Sequence, residues 1–179
     1  MSSHPGFVVW FTGFSGAGKT TLAKLVESDL RGRGMRVERL DGDTVRQSLT
    51  RDLGFSKEDR DKNIERVTFV AKLLSRNQVA VLAAFIAPYR EARAMIRQET
   101  TNFIEVFVDA PLEVCIARDI KGLYAKAMAG EIPNFTGIDD PYQAPEAPDL
   151  HIRTDQETPE QSAARVLDLL AARGFLLPT

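Results

Sequence analysis

The 179-residue chain has one cysteine (Cys115), one tryptophan (Trp10) and two histidines (His4 and His151). A single thiol excludes an internal disulfide framework and is compatible with a reducing compartment. Cys115 and Trp10 read as core residues. The histidines stand far apart in sequence without neighbours at metal-ligand spacing, so they carry no metal signature. No apolar run approaches membrane-spanning length, and Met1 to Gly6 holds no cationic stretch ahead of an apolar region, so the expected location is the cytoplasm, away from membranes. Charge of one sign is also lacking. The 23 Lys and Arg against 25 Asp and Glu leave a net charge of −2, no basic field for a nucleic acid polymer, and a small polyanion fits better. Repeats, low-complexity tracts and dividing linkers are absent, so one domain over residues 1–179 is expected.

What is present begins with Gly13-Phe14-Ser15-Gly16-Ala17-Gly18-Lys19-Thr20, a full match to the Gly-x-x-x-x-Gly-Lys-Ser/Thr phosphate-binding loop, followed by Thr21. Glycines let backbone N–H groups close around phosphate oxygens, the lysine reaches the β and γ phosphates, and the Thr20 hydroxyl suits Mg²⁺. The loop follows Phe7-Val8-Val9-Trp10-Phe11, a run suited to a buried parallel strand. It precedes Thr21 to Leu30, where Leu22, Leu25, Val26 and Leu30 have helical spacing.

Strand-like and helix-like stretches alternate along the chain, which predicts an α/β fold with a parallel five-stranded sheet covered on both faces. The strands are expected at Phe7–Thr12, Val37–Asp41, Val79–Ile86, Phe103–Asp109 and Leu150–Ile152. Lys57 to Asn77 places Ile64, Val67, Ala71 and Leu74 on one helical face, Pro111 opens a further helix, and Thr158-Pro159-Glu160 starts the last. Gly130 to Pro148 has no periodicity and reads as a functional lid, whose full extent is about residues 119–148.

A phosphate-binding loop alone does not separate kinases from GTPases and motor ATPases. The guanine-reading string Asn-Lys-x-Asp is absent. Asp119 to Gly122 spells Asp-x-x-Gly inside an expected helix and is read as chance. Asp41 and Asp109 each end a strand, where catalytic groups of parallel sheets collect, and either could sit near the metal. Asp41 has the better claim, because it opens Asp41-Gly42-Asp43 with Arg46 to follow.

Five segments then resemble the motif series of the adenylylsulfate kinases, in order and at similar spacing: GFSGAGKTT (Gly13 to Thr21), LDGD..R (Leu40 to Arg46), LGFSKEDRDKN (Leu53 to Asn63), RDIKGLYAK (Arg118 to Lys126) and FTGIDDPY (Phe135 to Tyr142). The resemblance implies a P-loop kinase that moves the γ-phosphoryl group of ATP to the 3′-hydroxyl of adenosine 5′-phosphosulfate, in sulfate assimilation. It assigns Lys19, Asp41 and Arg118 to catalysis, and Thr20 and Asp41 to Mg²⁺, the latter directly or through water. Phe55 and Phe135 would sandwich the acceptor adenine. Arg46, Arg60 and Asn63 would hold its phosphosulfate and ribose, while Asp43, Lys121, Asn134 and the backbone near Ile86 complete the pocket. A homodimer acting beside ATP sulfurylase is also implied.

One departure stands out. Many members of that family have serine in a Phe-Ile-Ser-Pro-Tyr segment, associated in some with a phosphorylated enzyme form. This chain has Ala87 there, so a phosphoenzyme at that position is not expected. A catalytically silent nucleotide-binding module and a different small-molecule kinase are the alternatives; intact Lys19, Thr20 and Asp41 favour the enzyme.

Overall fold

The computed structural model describes residues 4–176. Five strands, β1 (Phe7–Thr12), β2 (Val37–Asp41), β3 (Ala80–Ala84), β4 (Phe103–Asp109) and β5 (Leu150–Arg153), form one sheet. Every pairing is parallel and the order is β2-β3-β1-β4-β5. All six residues of β1 are buried because the sheet is covered on both sides. Phe7, Val9 and Phe11 belong to the core beneath α1 (Lys19–Gly32) and α7 (Pro159–Ala172). Val8 and Trp10 belong to the other core, beneath α3 (Lys57–Ser75) and α4 (Arg90–Glu99). Trp10 and Cys115 are both fully buried, as expected of core residues.

The expected helices form with small shifts of boundary. At the start of α7 the Thr158 hydroxyl accepts from the Gln161 N–H, while the Gln161 side chain accepts from the Thr158 N–H, so both free donors are satisfied. Three helices were not anticipated: α2 (Gly42–Gln47), α4 and α6 (Leu123–Met128). One expectation is corrected. Asp119 to Gly122 lies in the turn between α5 (Leu112–Arg118) and α6, because Asp119 leaves the helical region at φ 20 and turns its carboxylate onto the N–H groups of Tyr124 and Ala125. The third strand is also shorter than expected, its apolar run continuing past Ala84 into the wall of a cavity. Residues 130–148 contain no strand or helix, only an isolated bridge between Thr136 and Asp140. No helix among the described residues is long and apolar enough to cross a membrane.

Candidate functional site

Parallel strands point their carboxyl ends the same way, and here a cavity of about 490 Å³ opens beside β1, β2 and β3. The loop from Gly13 to Gly18 forms one side of it. Its shape follows from where its carbonyl groups go. Lys19 Nζ donates to Gly13 O (3.0 Å) and Phe14 O (2.7 Å), Tyr124 Oη to Ser15 O (2.8 Å), Arg118 Nη1 to Gly16 O (3.1 Å), Thr154 Oγ1 to Ala17 O (2.7 Å) and Leu22 N to Gly18 O (3.0 Å). Six consecutive carbonyls are held, the Ala17 N–H bonds Phe14 O at 3.2 Å, and α1 begins with no side-chain cap on its first turn, an arrangement suited to an anion. Gly13 is obligatory: a Cβ there would lie 2.1 Å from Val108 O.

Ser15, Gly16, Gly18, Lys19, Thr20 and Thr21 line the cavity, whereas Ala17 is buried in the core. Phe14 packs against Tyr142, with ring centroids 5.1 Å apart. Burial lowers the Lys19 ammonium to about 8, with Lys121 nearby acting in the same direction and Asp41 and Asp43 opposing it.

Facing the loop is the end of β2. Asp41 is buried, accepts from Thr20 Oγ1 at 2.8 Å, and caps α2 by accepting from the Asp43 N–H at 3.1 Å. Thr20 and Asp41 thus present hard oxygen donors side by side, as Mg²⁺ requires. Asp109 is elsewhere: its carboxylate pairs with His151 Nε2 (2.8 Å) and Arg153 Nε (3.6 Å), so the end of β4 has its own charge cluster. His151 therefore has a partner in space that sequence did not show. Among the described residues no cluster of three or more His, Cys, Asp or Glu could hold a metal ion.

The far side of the cavity gathers Arg46, Phe55, Arg60, Asn63, Ile86 and Phe135. Arg46 lies over the Phe55 ring at 4.3 Å and donates to Gly54 O at 3.1 Å. Burial, with Arg60 nearby, lowers its pKa. Arg60 is buried, donates to Phe55 O at 3.0 Å and bonds Asn134 O, which ties α3 to the segment after α6. Asn63 is buried on the same face of α3, one turn further on, and its Oδ1 has no partner. The Ile86 carbonyl accepts from Thr12, whose hydroxyl also meets Tyr142 Oη at 2.8 Å. Lys121 and Asp43 form an ion pair at the cavity mouth. The two rings differ: Phe55 is 46% exposed, whereas Phe135 is 9% exposed and makes a T-shaped contact with Tyr124, ring centroids 5.0 Å apart.

Arg118 is the one expected catalytic residue that does not line the cavity. Its guanidinium spans Gly16 O, Thr154 Oγ1 (3.2 Å) and Thr154 O (2.9 Å), bracing the loop from outside. Sequence reasoning assigned no role to Tyr124, Thr154, Arg93 or Asp140, although Tyr124 and Asp140 lie within the last two motif segments. Arg93 is buried and donates to Ala87 O (2.6 Å), bonds Gln143 O and pairs with Glu105 at 2.9 Å. Asp140 accepts from Tyr89 Oη at 2.9 Å. Ala87 is buried in the cavity wall with φ 43 and, being alanine, offers no hydroxyl.

The sequence and the fold around this cavity have counterparts among known proteins. The chain is 71% identical over 167 residues to a probable adenylyl-sulfate kinase of Pseudomonas aeruginosa, covering 93% of this chain and 78% of that protein. It is 60% identical over 176 residues to the adenylyl-sulfate kinase of Halothermothrix orenii, covering 98% and 95%. The solved Mycobacterium tuberculosis APS kinase CysC, in complex with AMPPNP and APS, superposes with a TM-score of 0.90 at 48% identity, over 94% of this chain and 99% of that one. Residues 5–153 match the model of the adenylylsulphate kinase family, and the chain belongs to that family.

Proposed function

We propose a division of labour among this chain's residues for the family's reaction, in which the γ-phosphoryl group of ATP passes to the 3′-hydroxyl of adenosine 5′-phosphosulfate, giving 3′-phosphoadenosine 5′-phosphosulfate. Phosphoryl transfer asks a protein mainly for positioning and charge neutralisation. The loop N–H groups seat the ATP phosphates, and Lys19 leaves its carbonyl partners to follow the γ-phosphate. Mg²⁺, held by Thr20 and Asp41, would neutralise charge on the phosphates. Asp41 accepts a hydrogen bond from, or the proton of, the attacking 3′-hydroxyl. Arg118 acts through the loop, by fixing the Gly16 carbonyl, rather than on the phosphoryl group itself.

On the acceptor side, Phe55 and Phe135 stack on adenine. Arg46, Arg60 and Asn63 take the phosphosulfate and ribose, with Asp43, Lys121, Asn134 and Ile86 at the edges. Residues 119–148 act as a lid on a single kinase domain spanning 1–179. The enzyme works in the cytoplasm as a homodimer. Its acceptor is an adenylylated sulfate, so an adenylyl-transferring enzyme, ATP sulfurylase, must supply it.

The observation that carries this reading is the single cavity that places the phosphate loop and Asp41 opposite Arg46, Phe55, Arg60 and Phe135. A coupled assay of ADP release tests it. Turnover with MgATP should rise at least a hundredfold on adding adenylylsulfate, and ADP release indifferent to adenylylsulfate would reject it.

A further inference from the structure

Tyr124 is 1% exposed, and its phenol is shared between both halves of the site. A buried phenolic O–H needs an acceptor, and its acceptor is Ser15 O at 2.8 Å, inside the phosphate loop. Because a trans peptide points its C=O and N–H in opposite directions, holding Ser15 O toward the phenol turns the Gly16 N–H away from it. The same ring makes a T-shaped contact with Phe135, at a centroid distance of 5.0 Å and an interplanar angle of 75°.

Neither end of this bridge is loose. The Tyr124 N–H is fixed to Asp119 Oδ1 at 3.0 Å, and the preceding residue, Arg118, braces Gly16 O. Phe135 is held through its N–H by Asp139 Oδ1 at 2.5 Å, and the adjoining Asn134 carbonyl by Arg60. Burial raises the Tyr124 phenol, which keeps it a neutral donor.

We infer that Tyr124 is a positioning residue that couples nucleotide in the phosphate loop to the acceptor wall formed by Phe135. The inference rests on the reading of Phe135 as that wall. Phosphate on the Gly16 N–H fixes the Ser15–Gly16 peptide, the peptide fixes the phenol, and the ring restricts Phe135. An acceptor arriving at the loaded enzyme then has less motion left to quench, so its affinity rises without any new contact. Linkage makes the effect reciprocal.

Titration calorimetry with adenylylsulfate, in the presence and absence of a non-hydrolysable ATP analogue with Mg²⁺, measures the coupling. Wild-type protein should bind adenylylsulfate about fivefold to a hundredfold more tightly with the analogue bound. Tyr124→Phe keeps the ring against Phe135 and loses the bond to Ser15, so the ratio should fall to within about twofold of one. Tyr124→Leu removes both contacts and should also weaken adenylylsulfate binding to the nucleotide-free protein. A wild-type ratio of one, or an unchanged ratio in folded Tyr124→Phe, overturns the coupling. Phe135→Ala that binds adenylylsulfate as wild type does overturns instead the reading on which it rests.

Discussion

At the scale of single residues, environment decides which groups of a motif do chemistry. Lys19 is 9% exposed and surrounded by loop backbone, and burial brings its ammonium down to about 8. The protonated form is the one that meets phosphate. In the free enzyme that form is lost as pH rises through about 8, whereas bound triphosphate raises the value again by opposite charge. The expected pH–rate profiles therefore differ: kcat/KM for ATP falls about tenfold per pH unit above that point, while kcat holds to higher pH. Lys19→Ala should lower turnover by about a thousandfold at pH 7, with the fold retained by circular dichroism. A kcat/KM for ATP that stays flat to pH 10 would contradict this role. Residue identity alone did not show such environments. Phe55 and Phe135 look equivalent in sequence, yet one is a half-exposed ring under Arg46 and the other is almost core.

At the scale of elements, what was legible in the sequence was what has a local cause. Unbroken apolar runs marked the strands because both sheet faces are covered, and periodic faces or a cap marked α1, α3 and α7. Helices α2 and α6 have six residues each, less than two turns, so no period can emerge; α4 did carry a helical apolar face in Ala92, Met95 and Ile96, which sequence reasoning missed among its charged residues. The loop was legible for the same reason, its glycines and lysine being contiguous. Its supporting donors were not, because Tyr124 and Thr154 lie 109 and 137 residues from the carbonyls they hold. The segment after α6 shows how an element without regular structure is still specified. Gly137 has φ +94, donates to Asp140 O at 2.8 Å, and a Cβ there would come within 2.9 Å of Leu112 and 3.0 Å of Phe14. Gly137→Ala therefore carries a left-handed backbone cost of about 1–2 kcal/mol and pushes the segment off Phe14. The thermal midpoint should fall by about 2–8 °C, and KM should rise more for adenylylsulfate than for ATP, since Phe135 sits two residues away. Equal KM changes for the two substrates would show that Gly137 does not position the acceptor wall.

At the scale of the whole molecule, the sheet order puts β1 between β3 and β4, so the phosphate loop faces β2 and β3 on one side and β4 and β5 on the other. The two strand-end carboxylates are consequently separated in function. Asp41 shares the cavity with Lys19 and Thr20, whereas Asp109 is held by His151 and Arg153 at the end of β4. This separation is why the proposed division of labour puts phosphoryl transfer at the end of β2. The most direct measurement is turnover of Asp41→Asn and Asp109→Asn side by side at saturating MgATP and adenylylsulfate. Asp41→Asn should lose about 10² to 10⁴ in kcat with a modest change in ATP affinity, while Asp109→Asn should stay within about tenfold of wild type. An inactive Asp109 variant beside an active Asp41 variant would contradict this placement of phosphoryl transfer.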